Sequence, residues 1–134
     1  MLFEVNFVTY QGIYRSIKTD KLNLPAIDGR RTLLSNHMPT MIPLQIGVVE
    51  TSENNKSSYW AVTEGMVLFE NNVATVLCDE IVNVSDINVD KVQARLQKAQ
   101  EDLDTDNRES DIQRARVALA RAANLIESIN RYLD

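Results

Sequence analysis

Apolar and polar residues alternate with a period of two from the first residues onward, and the period changes to about 3.6 near residue 86. In Phe3-Glu4-Val5-Asn6-Phe7-Val8-Thr9 the alternation puts Phe3, Val5 and Phe7 on one face of a half-buried strand, which Gln11-Gly12 ends. A looser second run, residues 13–23, carries Ile13, Ile17, Leu22 and Leu24 and stops at Pro25-Ala26-Ile27-Asp28-Gly29, where Pro and Asp-Gly favour a turn. Further strands are predicted over 31–34, 42–50, 59–63, 65–69 and 73–78. The polar stretch 51–58 reads as a hairpin loop, and Asn71-Asn72 as a tight turn whose residues tolerate positive φ. Many short strands with regular turn signals predict a sandwich or barrel.

After residue 86 there is neither glycine nor proline. Val92, Leu96, Ala99 and Leu103 recur at helical spacing behind Asn88, a suitable N-cap. Asp104-Thr105-Asp106-Asn107 breaks this helix. A second one follows, capped by Asp106 or Ser110 with Glu109 or Gln113 three residues on. Its stripe is Ile112, Ala115, Leu119, Ala122, Ile126, Ile129 and Leu133. Two helices with a short polar break predict an antiparallel hairpin. Much of its facing surface reads as alanine: Ala94, Ala99, Ala115, Ala118, Ala122 and Ala123. At about 25 cal/mol per Å² a methyl group contributes little, so such a hairpin packs closely without being held strongly. The expected fold class is an all-β sandwich followed by an α-helical hairpin (α+β, segregated), with units 1–86 and 87–134.

Charge narrows the function. A net charge of −5 without a basic stripe argues against a nucleic-acid binder or a direct binder of anionic membranes. Cys78 is the single cysteine, set in Val76-Leu77-Cys78 as a buried thiol of a reducing compartment. The start Met1-Leu2-Phe3-Glu4-Val5 does not read as a signal peptide, and no apolar run approaches the roughly 18 residues of a membrane span. The loop Ser35-Asn36-His37-Met38-Pro39-Thr40-Met41 holds the single histidine beside two methionines. A lone histidine lacks companions at metal-ligand spacing, and a hydrolase built on His37 with Asp28 or Glu64 lacks a nucleophile motif. A loop histidine bonding backbone carbonyls or meeting a partner is the better reading, with Pro39 and Pro43 stiffening the loop that presents Met41 and Ile42.

Several motifs together resemble a known family. Gly29-Arg30-Arg31-Thr32-Leu33-Leu34-Ser35-Asn36-His37-Met38-Pro39 is similar to Gly-Glu-Ile-Gly-Val-x-x-Gly-His-x-Pro. Leu44-Gln45-Ile46-Gly47-Val48-Val49 follows at matching distance. Val8-Thr9-Tyr10-Gln11-Gly12 resembles Val-Thr-Pro-x-Gly, Ala61-Val62-Thr63-Glu64-Gly65-Met66-Val67 resembles Ala-Val-x-x-Gly-x-x, and Val73-Ala74-Thr75-Val76-Leu77 its Val-x-Val-Leu strand. Asp111-Ile112-Gln113-Arg114-Ala115 through Ala118-Leu119-Ala120-Arg121-Ala122 matches its final helix. In order and spacing these resemble the epsilon subunit of F-type ATP synthase, the equivalent of the mitochondrial delta subunit, across essentially the whole chain.

The resemblance implies a non-catalytic central-stalk subunit at the cytoplasmic face of a bacterial plasma membrane, where membrane contact comes only through the complex. Its implied partners are the gamma shaft, the membrane rotor ring of c subunits, and the alpha and beta subunits of the catalytic head. The sandwich would couple proton-driven rotation to ATP synthesis, with Arg30, Arg31, His37, Met38 and Met41 at the gamma or ring contact. The hairpin would fold on the sandwich or extend into the head and inhibit ATP hydrolysis, with Arg108, Arg114, Arg116 and Arg121 facing acidic groups. Some members bind ATP through Ile-Asp-x-x-Arg-Ala and arginines on the second helix. Here Asn88 and Lys91 replace the acid and first arginine, and Leu125 another arginine, leaving at most a weak nucleotide site at Ile87, Lys91 and Arg121. No metal, cofactor or catalytic residue is expected. The reading from a different class is a freestanding β-sandwich ligand-binding or adaptor module with a helical interaction tail.

Overall fold

The computed structural model describes residues 1–105 and 109–132, and side chains outside 102–115, 129 and 132. The chain divides into two units, Met1–Asn83 and Val84–Asp134. The first holds strands β1 (Phe3–Thr9), β2 (Gly12–Thr19), β3 (Lys21–Ala26), β4 (Gly29–Leu34) and β5 (Thr40–Leu44). It continues with β6 (Gly47–Glu53), β7 (Lys56–Val62), β8 (Gly65–Glu70), β9 (Val73–Cys78) and β10 (Ile81–Asn83).

The ten strands form one hydrogen-bonded path, β10-β7-β6-β3-β5-β8-β9-β1-β2, with β4 beside β3. β3 is where the path folds over. Its first residues, Lys21–Asn23, pair with Ser52–Glu50 of β6, and its last, Ala26, pairs with Leu44 of β5. The two layers therefore face each other, and residues far apart along the path meet in one core. Phe7 of β1 stacks on Trp60 of β7 at 4.4 Å, and Phe3 meets the edge of Phe69 in β8 at 5.4 Å. Both pairs are buried, and Trp60 Nε1 donates to Thr51 Oγ1 at 2.9 Å, so the indole enters the core without an orphaned donor.

Four strand readings differ from the structure, each for a physical reason. Residues 13–23 are not one strand: β2 and β3 belong to different layers. The corner between them is fixed by buried Thr19, whose Oγ1 accepts the Ser52 N–H at 2.9 Å and donates to the Lys21 carbonyl at 2.6 Å. Residues 42–50 likewise divide between β5 and β6, and Met41 lies in β5 rather than in a loop. Pro25, taken as a turn residue, lies inside β3 opposite Arg30, and its ring fills the space that a side chain on Gly47 would need. The polar segment 51–58 is mostly strand. Asn54 and Asn55 both take positive φ, so the turn closes in two residues and Ser52 and Ser57 remain paired. Asn71 and Asn72 take positive φ as their sequence foretold.

The second unit opens with a single 3-10 turn, Val84–Asp86, followed by α1 (Val89–Thr105) and α2 (Glu109–Tyr132), which pack together as a hairpin. Asn88 caps α1: its Oδ1 accepts the Lys91 N–H at 3.1 Å. Val92 and Ala99 of α1 and Ala122, Leu125 and Ser128 of α2 are buried. Ser128 satisfies its hydroxyl by donating to the Asn124 carbonyl at 2.6 Å. Ala94, Ala118 and Ala123, read as facing residues, are exposed; the buried stripe of α2 runs one position beside them, through Leu125. The side chains of Leu103, Ile112, Ala115, Ile129 and Leu133 lie outside the described residues.

Candidate functional site

Pairing register shows that the two outer faces of the sandwich differ in chemistry. On β5, β8, β9, β1 and β2 the inward residues are the core, and the outward ones form rows across the strands. One row is Pro43–Met66–Leu77–Val8–Ile13, each residue opposite the next. It is apolar from end to end. Ile13 is 68% exposed and Leu77 37%, while Met66 and Val8 are half-buried. The adjacent row starts with Met41, 62% exposed, beside Leu68, and turns polar at Thr75, Asn6 and Ser16. Contiguous exposed apolar surface of this kind marks an interaction site.

The opposite outer face, on β4, β3, β6 and β7, satisfies its own polar groups. Arg30 Nε donates to Asn23 Oδ1 and its Nη1 to the Val48 carbonyl, both at 2.7 Å. Asn23 Nδ2 donates to Thr32 Oγ1 at 2.8 Å, and Glu50 receives Ser57 Oγ at 3.2 Å beside Lys21 Nζ at 3.8 Å. Arg30 is thus a strut that laces β4 and β3 to β6.

The candidate residues of this unit fall at two ends. Arg31 sits next to the β3–β4 turn and pairs with Asp28, whose carboxyl it holds below the ordinary carboxylate range by hydrogen bonding. His37 and Met38 lie beyond the far end of β4, beside the β8–β9 turn. The six residues of β4 separate Asp28 from the His37 end, about 20 Å at 3.3 Å per residue. Glu64, preceding β8 at Gly65, is at the Asp28 end, because Gly65 pairs with Leu44 and Leu44 with Ala26. His37 therefore meets neither Asp28 nor Glu64, and no acid–base pair forms on it. Its Nδ1 lies 2.8 Å from the Met38 carbonyl and its ring meets the edge of Phe69 at 5.9 Å.

In the hairpin, Arg116 is exposed and Arg121 half-buried; Arg108 and the side chain of Arg114 lie outside the described residues. Leu96 shares a groove of about 550 Å³ with Ala123, Ile126, Glu127, Asn130 and Arg131. Ile87 is half-buried, its N–H bonded to the Val84 carbonyl at 3.3 Å, and Leu125 is buried. Among the described residues no group of three or more His, Cys, Asp or Glu side chains is placed to hold a metal ion.

The outward row is not legible from the sequence alone, because pairing register across five strands assembles it. A partial signal is present: in Gly65-Met66-Val67-Leu68-Phe69 and Val76-Leu77-Cys78 both alternating faces are apolar, although one of them meets solvent.

Comparison with known proteins gives concordant results. Residues 2–84 match the family described as ATP synthase, Delta/Epsilon chain, beta-sandwich domain, and residues 85–130 its long alpha-helix domain. The ATP synthase epsilon chain of Lactobacillus delbrueckii subsp. bulgaricus is 34% identical over 132 residues, covering 93% of this chain and 90% of the relative. That of Lactobacillus helveticus is 32% identical, covering 96% and 93%, and that of Bacillus pumilus 31%, covering 90% and 92%. Two solved structures are similar in fold. A chain of the Euglena gracilis mitochondrial ATP synthase (OSCP/F1/c-ring) has a TM-score of 0.75 at 16% identity, covering 93% of this chain and 79% of that one. A chain of the Tetrahymena thermophila mitochondrial ATP synthase central stalk and c-ring has 0.61 at 12% identity, covering 93% and 94%.

Proposed function

Since the chain belongs to the delta/epsilon chain family of ATP synthase, as a non-catalytic subunit of that complex, we propose that its sandwich is the docking module of the central stalk and its hairpin the regulatory one. The observation that carries this reading is the apolar row Pro43–Met66–Leu77–Val8–Ile13 on one outer face, set against a self-satisfied polar face on the other. A shaft seated on that row, the gamma subunit, buries it from water and turns with the sandwich as one body. The rotor ring of c subunits meets the sandwich at its ends, through the His37–Met38 loop with Met41 or through Arg31 beside the β3–β4 turn. No bond is made or broken by this chain; it transmits torque through packed surface.

The hairpin acts on hydrolysis by entering the catalytic head, where Arg116 and Arg121, with Arg108 and Arg114, meet acidic groups of the alpha and beta subunits. Its location follows from the complex, at the cytoplasmic face of a bacterial plasma membrane, and none of the described helices is long and apolar enough to cross a membrane. The test is reconstitution of an ATP synthase stripped of this subunit. The full chain should restore coupling and lower hydrolysis, and a chain ending at Asp86 should still bind but leave hydrolysis high. Failure of the full chain to bind the stripped enzyme would refute the docking role; equal hydrolysis with both chains would refute the regulatory one.

A further inference from the structure

The loop between β4 and β5 is held in an unusual way. Asn36, His37, Met38 and Pro39 are all exposed, so burial does not fix it. Instead Asn72 Oδ1 accepts the Asn36 N–H at 2.7 Å, and Asn72 Nδ2 donates to Asn36 Oδ1 at 2.9 Å, a reciprocal pair between residues 36 apart in sequence. The Asn72 carbonyl in turn accepts the Glu4 N–H at 3.1 Å, so the turn that holds the loop is itself tied to β1.

Both asparagines have left-handed backbones, φ 67° at Asn36 and 59° at Asn72. Glycine satisfies that backbone with less strain, and asparagine is tolerated because its short amide bonds locally. Here the amides bond to each other, across two segments. Beyond this pair the loop is held by the His37 N–H on the Leu34 carbonyl at 3.2 Å and by the perpendicular contact of the His37 ring with Phe69. Met38 is thereby left 71% exposed on a backbone that is fixed from both sides.

We infer that Asn36 and Asn72 form a positioning clamp, which holds the His37–Met38 loop and the adjoining Met41 in the shape that docks on the rotor ring. The inference rests on the ring contact proposed above. Docking must order whatever is disordered beforehand, and a loop already fixed by the clamp avoids that loss of conformational freedom. Asn36 and Asn72 touch the loop and not the partner; they act through His37, Met38 and Met41.

The experiment uses the full-length chain, read in two ways: hydrogen exchange at the Asn36 and Met38 amides, and affinity for ATP synthase stripped of this subunit. Asn72→Gly keeps the backbone geometry and removes both side-chain bonds. Exchange at Asn36 should rise about tenfold, the span of one net hydrogen bond, and affinity should fall several-fold. Asn36→Gly should have a smaller effect, because the Asn36 N–H still reaches Asn72 Oδ1. The double variant should fall short of the summed single effects, since the two share one bond; the added freedom of glycine is additive and cancels in that comparison. Unchanged exchange in Asn72→Gly, full affinity despite faster exchange, or additive single effects would each overturn the clamp. Met38→Ala and Met41→Ala provide the separate check. They should weaken binding while leaving exchange at Asn36 unchanged; if they bind at full affinity, the ring contact of this loop is wrong and the clamp has no docking role.

Discussion

Ile13→Ala is the sharpest test of the outward row. Ile13 ends the row on β2, 68% exposed, so little of it contributes to the folded chain by itself. Full burial of an isoleucine side chain is worth about 1.5–3 kcal/mol, and the two thirds left in water here is the part a partner can cover, roughly 1–2 kcal/mol. Alanine forfeits most of that, which weakens docking on the stripped enzyme by roughly 5- to 30-fold at 1.4 kcal/mol per tenfold. The same substitution should change the stability of the isolated chain by no more than about 0.5 kcal/mol. Leu34→Ala is the matched control: Leu34 is 55% exposed, but it faces outward from β4 opposite Lys21, on the polar side of the sandwich. Titrating each variant into stripped enzyme and melting each alone separates the two quantities. Equal affinity for Ile13→Ala and wild type, or an equal loss for Leu34→Ala, would refute the assignment of the docking face.

Gly65→Ala should destabilise the sandwich by about 3 kcal/mol or more, because its Cβ would lie 1.9 Å from the Leu77 carbonyl oxygen; a melt within a few degrees of wild type would show that β8 and β9 can separate there. Asp28 titrates below its ordinary 3.8 when folded because Arg31 donates to it, so the unfolded chain binds more protons in acid. Its small stabilising effect is therefore present above about pH 4 and lost as pH falls through the folded value, so Asp28→Asn should lower the neutral plateau slightly and flatten the acid limb, the two chains converging in acid. Millimolar ATP should shift the melting of the isolated chain little, since Asn88, Lys91 and Leu125 stand where the nucleotide-binding pattern has an acid and two arginines; a ligand at a hundred times its dissociation constant adds about 2.7 kcal/mol, so a large saturable shift would disprove this.

What the sequence disclosed and what it hid follow one division. Alternation in residues 3–9 and 73–78 and the Asn88 cap depend on neighbours a few positions away, and they appear in the structure as read. The corners at Thr19–Asp20 and Gln45–Ile46 depend on which layer each strand joins, decided by long-range bonds such as Thr19 to Ser52, and were read through as continuous strands. The same holds for function. His37 and the arginines stand out by residue type, yet Arg30 is bonded within its sheet and Arg31 to Asp28. The apolar row is composed of ordinary residues from five separate strands, and only register brings them side by side.

The distribution of side-chain size over the two units matches the two tasks proposed for them. A sandwich that carries torque must not leave its shaft, and the outward row offers isoleucine, leucine, methionine and valine, whose combined burial outweighs the cost of association. A hairpin that engages and releases must bind no partner too firmly. Its exposed surface includes Ala94, Ala118 and Ala123, each presenting one methyl group, together with Arg116 and Arg131. A methyl group adds well under 1 kcal/mol on burial, and an exposed ion pair about 0.2–1 kcal/mol that weakens with salt. Alanine keeps the helix intact whether or not it is covered, so attachment and release need not involve unfolding. Raising ionic strength should therefore relieve inhibition by the hairpin well before it detaches the sandwich. Simultaneous loss of both would mean that the docking row is not what holds the subunit in place.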